Sequence, residues 1–185
     1  MTVLYWNHRD LSFRDVKVCR ALTLAINRRE LLQVLNFPPG TPVLDALFSR
    51  RQIRSRDFPE PMPYHPELAN RLLEEAGWRT QNQEGLRERD GKPFNFTVLA
   101  GNQYGQEDAV VYIQTQFRRV GVRMNIDRRE PSAIFERTLA GDYEAAINVL
   151  YTAGGAWRRS GTIFDRSQLC ESAFPRANKA APKRL

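Results

Sequence analysis

The sequence predicts an α/β fold, in which helices cover a sheet that contains parallel strands. Two strand–helix–strand patterns between residues 94 and 150 carry this prediction. Such a pattern typically places its two strands parallel, because the helix carries the chain back to the end of the sheet where the first strand began. A third observation is an amphipathic helix near the N-terminus, whose apolar face needs a sheet or another helix to cover it.

The first predicted elements are a short strand and this helix. The run VLYW, Val3 to Trp6, is apolar and typical of a strand. Apolar residues then recur at steps of three and four, which predicts one helix from Asp15 to about Leu35. The Asp15 carboxylate is placed to accept hydrogen bonds from amides of the first turn. The breakers in NFPPGTPV, residues 36–43, end the helix.

A second helix is predicted from Tyr64 to Trp78, after a proline-rich stretch from residue 44 to 63 that is unsuited to a regular element. Pro66 suits the first helical position, and His65 is placed to cap it. Gly77 fits the left-handed conformation that commonly ends a helix. The apolar face of this helix is predicted to consist of Leu68, Leu72 and Ala76.

The first strand–helix–strand pattern follows a hairpin turn predicted at Asp90-Gly91. Alternating residues from Phe94 to Leu99 predict a strand. A helix then ends near Gly121, and VRMNID from Val122 predicts the next strand. The buried face of this helix is predicted to contain Val110, Ile113 and Phe117.

The second pattern places a helix between Pro131 and Gly141, and a strand from about Tyr143 to Leu150. After Gly154-Gly155 the periodicity is lost. Residues 157–185 are therefore predicted to form an irregular basic tail.

Charge is concentrated in this C-terminal region. The net charge of the chain is +7, and residues 151–185 contribute +5 of it through seven basic and two acidic side chains. A uniformly basic, nucleic-acid-binding domain is therefore not indicated. The sequence has no apolar run of about 18 residues that would span a membrane. Its first residues lack the pattern of a signal peptide, so we expect none within this chain.

Residues for catalysis are few. His8 and His65 are the two histidines, and neither has a metal-ligand spacing or lies near a nucleophile motif. We expect no enzyme activity, no metal and no cofactor. Cys19 and Cys170 leave two alternatives open, one disulfide or two reduced thiols.

The order of the elements is more specific than any single motif. It reads DVKVCRALTLAINRREL, PPGTPV, YHPELANRLLEEAGW, GLRERDGKPFNFTVL, GVRMNI and GDYEAAINVLY. From Leu4 to Tyr151 this order resembles the C-terminal lobe of the family 5 extracellular solute-binding proteins, the receptors of peptide, dipeptide and nickel ABC importers. The resemblance implies a periplasmic-binding-protein-like (type II) single lobe over residues 1–156, with a mixed or parallel sheet flanked by helices.

The chain departs from the family pattern at several positions. Cys19 stands where the family usually has arginine, and Asn27 and His65 stand where it favours aspartate. In peptide-binding members a tryptophan and an aspartate follow the GDYDAA strand, and the aspartate anchors the amino group of the peptide. The corresponding positions here are Leu150 and Ala153. The resemblance therefore does not extend to recognition of a free amino terminus.

The resemblance implies a substrate-binding component of an ABC importer, which takes peptides or a similar polar solute in a cleft between two lobes. Its partners would be that solute and a membrane permease, and the full-length receptor would be periplasmic or extracellular. An isolated lobe could also form a homodimer through its uncovered cleft face.

Open α/β sheets bind ligands outside the carboxyl ends of their strands. Two loops are candidates on that basis, and ordinary surface turns are the alternative for both. The first loop contains Asn102, Gln103 and Tyr104; the second runs from Tyr151 to Trp157.

Two other functions remain open from the sequence. The family pattern stops near Tyr151, so the chain could be a truncated receptor remnant that binds nothing. Alternatively, a basic nucleic-acid-binding protein could use the 151–185 region, where Trp157, Phe164 and Phe174 lie among arginines. That region has no recognisable nucleic-acid module, and for a receptor lobe no nucleic acid is expected.

Overall fold

A computed structural model describes residues 2–41, 43, 61–81, 83–102 and 105–149. Residues 44–60, the loop positions Gln103, Tyr104, Tyr151 and Trp157, and the predicted tail lie outside the described residues. The elements, in chain order, are β1 (Thr2–Trp6), α1 (Val16–Leu24), α2 (Arg28–Val34), α3 (Pro66–Glu75), β2 (Thr80–Gln81), β3 (Arg87–Arg89), β4 (Lys92–Pro93), β5 (Asn95–Ala100), α4 (Gln106–Arg119), β6 (Arg123–Arg128), α5 (Pro131–Ala140) and β7 (Ala145–Val149).

The main sheet has the strand order β1-β7-β5-β6. Strand β5 is parallel to both β6 and β7, whereas β1 pairs with β7 in the antiparallel direction. Both predicted strand–helix–strand units are therefore confirmed as parallel, and the sheet is mixed. None of the helices within the described ranges is long and apolar enough to cross a membrane.

Helices cover the two faces of this sheet. Alternation along β5 directs Phe96 and Val98 into the larger core cluster, which also contains buried residues of α1, α3 and α4. Leu99 faces the other way and packs with Ile134 of α5 in a second, smaller cluster. This two-faced burial is what an α/β fold requires.

A small antiparallel sheet, β2-β3-β4, precedes β5. Its hairpin closes at the predicted turn, since Arg89 pairs with Lys92 and leaves Asp90 and Gly91 between them. Both turn residues have positive φ angles, 54° and 72°, as a two-residue type I′ hairpin turn requires.

The helix predicted from Asp15 to Leu35 is in fact two helices. The Asp15 cap is confirmed, because its carboxylate accepts from the Lys17 amide at 2.8 Å. However, α1 ends at Leu24, and the Asn27 side chain caps α2 by accepting from the Glu30 amide at 3.3 Å. An apolar period of three and four continues across such a break, so it could not reveal the second cap.

The caps predicted for α3 are confirmed, but its buried face is shifted. The His65 imidazole accepts from the Leu68 amide at 3.4 Å, and Gly77 has a φ of 91°. The fully buried side chains are Ala69 and Leu73, whereas the predicted Leu68, Leu72 and Ala76 are only partly buried. Packing of α1 against α3 covers the positions beside the predicted stripe.

The predicted features of α4 and α5 are confirmed. Val110, Ile113 and Phe117 are buried, and Gly121 and Gly141 have φ angles of 77° and 75°. Cys19 is buried within α1, while Cys170 lies outside the described residues, so both thiol alternatives stay predictions.

Candidate functional site

The ends of four strands meet at one edge of the main sheet. Ala100 at the end of β5 is aligned with Arg128 at the end of β6, and β7 also ends on this side. Strand β1 runs in the opposite direction, so its first residue, Thr2, pairs with Val149 at the end of β7. We call this edge, defined by Thr2, Ala100, Arg128 and Val149, the carboxyl edge.

The turn between β5 and α4 forms the centre of the carboxyl edge. Gly101 is buried, and Asn102 beside it is exposed. Gly105 starts α4 with a φ of 71°, and Gln106, the first helical residue, is only 4% exposed. Its Oε1 lies over Gly101, where an added Cβ would be 2.5 Å from that oxygen. The close approach requires glycine at residue 101.

Charged side chains of both signs lie at the end of β6. The guanidinium of Arg128 lies 3.6 Å from the Glu107 carboxylate. The Asp127 carboxylate accepts from Arg129 at 2.8 Å and from Arg137 at 3.1 Å. Because acidic and basic groups alternate here, the carboxyl edge suits polar or zwitterionic groups better than a highly charged ligand of one sign.

The structure places one of the five predicted site residues. Asn102 lies exposed at the carboxyl edge, where the sheet rule predicted it. The other four, Gln103, Tyr104, Tyr151 and Trp157, lie outside the described residues, so ligand contact by any of the five stays a prediction.

Sequence reasoning missed Gln106, Arg128 and Arg129 at this edge. The position of the two arginines at the end of a predicted parallel strand could have identified them from the sequence. No sequence pattern could have identified Gln106, because the burial of a glutamine depends on the distant segments that pack around it.

Both histidines make structural contacts within the fold. His8 follows β1 at the opposite edge, and its Nδ1 lies 2.8 Å from the carbonyl oxygen of Phe13. His65 caps α3. Within the described ranges, no group of three or more histidine, cysteine, aspartate and glutamate side chains is close enough to hold a metal ion.

A shallow groove lies between the C-terminal half of α4 and β6. It is lined by Gln114, Thr115, Arg118, Arg119, Val122, Arg123, Met124 and Asn125. Two of its arginines are engaged with Glu84, because Arg118 donates to the Glu84 carbonyl oxygen and Arg123 to its carboxylate. The groove extends towards the amino end of β6 and is therefore separate from the carboxyl edge.

Comparison of this chain with known proteins identifies a matching family and several relatives. The model of a family described as "Bacterial extracellular solute-binding proteins, family 5 Middle" matches residues 1–157. The oligopeptide-binding protein AppA of Bacillus subtilis is 30% identical over 173 residues, which cover 89% of this chain and 31% of AppA. The nickel-binding periplasmic protein of Escherichia coli is 28% identical over 131 residues, which cover 70% of this chain and 25% of that protein.

Solved structures show the same fold. NikA from Brucella suis, in complex with Fe(III)-EDTA, superposes with a TM-score of 0.69 at 26% identity and covers 80% of this chain. AppA from B. subtilis, in complex with a nonapeptide, gives a TM-score of 0.68 at 29% identity and the same coverage. In both cases the match spans 30% of the other chain, so this chain corresponds to less than a third of these proteins.

Proposed function

This chain belongs to family 5 of the bacterial extracellular solute-binding proteins, and on that premise we propose that residues 1–156 form one lobe of the substrate-binding component of an ABC importer. The lobe corresponds to the C-terminal lobe of the receptor. It binds a peptide or a similar polar solute in a cleft between itself and a second lobe. Residues 157–185 follow the lobe as a basic tail.

The pairing of Thr2 with Val149 is the observation that best supports this proposal. A two-lobed receptor closes around its ligand by bending at a few chain segments that connect the lobes. The start of β1 and the end of β7 are adjacent, and both lie at the edge where β5 and β6 also end. A second lobe connected through both strands would face this edge, where an open α/β sheet binds its ligands.

The polar character of the carboxyl edge supports a polar solute. Asn102 is exposed there, and Arg128 and Glu107 supply one charge of each sign. These groups match the alternating donors and acceptors of a peptide, and AppA was solved with a nonapeptide. Because Ala153 stands where peptide-binding members carry an aspartate, we propose that recognition does not depend on a free amino terminus.

The remaining parts of the proposal follow from the receptor role. The lobe binds its solute without chemical turnover and acts with a membrane permease. The complete receptor is periplasmic or extracellular. An isolated lobe leaves its cleft face uncovered and can pair with a second copy through it.

Isothermal titration calorimetry of the 185-residue chain with tri-, penta- and nonapeptides tests the binding role. We expect saturable binding that leaves the peptide mass unchanged after prolonged incubation. No saturable heat up to about 1 mM peptide, an affinity near the lower limit for a specific receptor, would contradict peptide binding. Cleavage of the peptide would contradict a purely binding role.

Intact mass spectrometry of the native gene product, immunoprecipitated from its own cells, tests the receptor architecture. An exported product much larger than 185 residues is expected for a two-lobed receptor. A cytoplasmic product of this length would favour the truncated remnant, and the basic tail would then become the region to test for nucleic-acid binding.

A further inference from the structure

Gln106 has an unusual environment for a polar side chain at the carboxyl edge. We propose that its carboxamide, together with the open amides at the start of α4, binds an uncharged main-chain peptide unit of the solute. This inference rests on the proposed function and specifies the chemical group that this part of the edge recognises.

The first observation is burial without a partner. Gln106 is 4% exposed, yet within the described part of the chain its carboxamide makes no hydrogen bond. The described side-chain atoms that are fully enclosed without a partner are His8 Nε2, Trp78 Nε1 and Gln116 Oε1. The polar atoms of Gln106 are not among them, so its stem is covered while its carboxamide keeps access to solvent.

Another glutamine of the same helix provides the comparison. Gln114 donates from Nε2 to the carbonyl oxygen of Met124 at 2.8 Å, so its amide is used within the fold. Gln106 has no such use. Polar groups held in a largely buried position normally have a hydrogen-bond partner, either in the protein or in a bound molecule.

The second observation is the open start of α4. Gly105 precedes the helix and has no side chain to cap it, so the first-turn amides have no side-chain acceptor from the capping position. The helix has 14 residues, long enough for its N-terminal amides to attract an oxygen with partial negative charge. The Gln106 carboxamide lies at this same end.

The charges around these amides select the kind of ligand group. Glu107 and Asp108 occupy the first turn of α4 and repel an anion, while Arg128 offsets only Glu107. A carbonyl oxygen carries no full negative charge, so these carboxylates repel it much less than they repel an anion. A carboxamide both donates and accepts a hydrogen bond, so it complements the carbonyl and N–H groups of a peptide unit.

Nuclear magnetic resonance of the ¹⁵N-labelled 185-residue chain tests this inference with N-methylacetamide, which is a peptide unit without charged ends. The side-chain amide pair of Gln106 is assigned by its loss in Gln106→Met. We expect this pair to shift saturably with N-methylacetamide, while the pair of Gln114 stays in place. If the Gln106 pair moves no more than the Gln114 pair, the inference is wrong.

Affinity for tri-alanine gives the second measurement. Gln106→Met is expected to bind it about tenfold more weakly, as loss of one good hydrogen bond predicts. Gln83→Met, which changes an exposed glutamine between β2 and β3, is the matched control and should bind as the wild type does. Equal affinities in the wild type and Gln106→Met, at equal melting temperatures, would overturn the inference while leaving peptide binding in place. A shift of Gln106 with N-methylacetamide without any tri-alanine binding would support the amide site and contradict the peptide receptor.

Discussion

The guanidinium of Arg87 donates a hydrogen bond to the carbonyl oxygen of Val120, 2.9 Å away, and so joins the small sheet to the end of α4. The same side chain donates to the Trp78 carbonyl oxygen at 2.7 Å and to Asn70 Oδ1 at 3.0 Å. Its charge is partly balanced by the Glu74 carboxylate at 3.5 Å. Because Arg87 is only 4% exposed, these bonds form in a largely water-free environment, where an unpaired partner is costly.

Replacing Arg87 by methionine should therefore destabilise the fold. The carbonyl oxygens of Val120 and Trp78 would lose their side-chain donor, and we expect the free energy of unfolding to fall by about 3 kcal/mol. Arg29→Met is the control, because Arg29 is exposed on α2, and it should change stability by less than about 0.5 kcal/mol. Urea unfolding followed by circular dichroism measures the free energy of unfolding of both variants. Similar values for the two variants would show that the Arg87 contacts contribute little.

Gly121 and Gly85 form a matched pair for testing close packing near Arg87. Both have left-handed backbones, with φ angles of 77° and 74°. A Cβ at residue 121 would lie 2.9 Å from Arg87 Cγ, whereas a Cβ at residue 85 would meet nothing within 4 Å. Alanine should cost about 1–2 kcal/mol at either position for the backbone conformation. We expect Gly121→Ala to lower the unfolding free energy further, by at least about 1 kcal/mol. Equal denaturant midpoints would argue against the clash.

Phe96 lies at the centre of an aromatic cluster beneath the main sheet. Its ring centroid is 5.2 Å from that of Phe13, 5.7 Å from that of Trp6 and 6.1 Å from that of Phe117. Phe96→Ala would open a cavity among these rings, and we expect a loss of about 3–5 kcal/mol in stability. Phe135→Ala removes a phenylalanine that is 46% exposed on α5 and should cost less than about 1 kcal/mol. Thermal unfolding of the two variants checks the contrast.

The environment of Tyr112 leads us to expect that the folded protein loses stability at alkaline pH. Its hydroxyl lies 2.9 Å from the Glu30 carboxylate and 3.1 Å from the Asn27 carbonyl oxygen. Burial and then the hydrogen bond with Glu30 raise the pKa of Tyr112 well above its usual value. The folded state therefore keeps this proton when the unfolded state loses it near pH ~10. The stabilisation is complete below that pH and is lost as the pH rises towards the folded-state pKa.

Tyr112→Phe removes this titration. Between about pH 8 and about pH 11, the unfolding free energy of the variant should fall less than that of the wild type. Urea unfolding at the two pH values measures this difference. At the lower pH, the difference in unfolding free energy between the two proteins gives the effect of the lost hydrogen bond. The further change at the higher pH gives the effect of the titration. Identical pH dependence in both proteins would mean that Tyr112 ionises equally easily in the folded and unfolded states.

The arrangement of the site was only partly predictable. The rule that open sheets bind ligands at the carboxyl ends of their strands led to Asn102, which the structure places at that edge. The rule identifies loops from their position in the chain. It could not identify Gln106, because a glutamine at a helix start is usually solvated, and its burial here depends on the neighbouring turn at Gly101.

The amino-acid sequence by itself determined the local elements of this protein. The caps at Asp15 and His65, the turn at Asp90-Gly91 and the left-handed end at Gly77 each depend on backbone rules that act within a few residues. For this reason they were predicted correctly without any knowledge of the fold.

Only the tertiary structure decided how these elements are combined. The placement of β7 between β1 and β5, which brings Thr2 to Val149, depends on strand pairing between distant parts of the chain. The same holds for the burial of Arg87, the enclosed stem of Gln106 and the shifted apolar face of α3. Burial depends on which remote segments exclude water from a residue, and local periodicity carries no information about those segments.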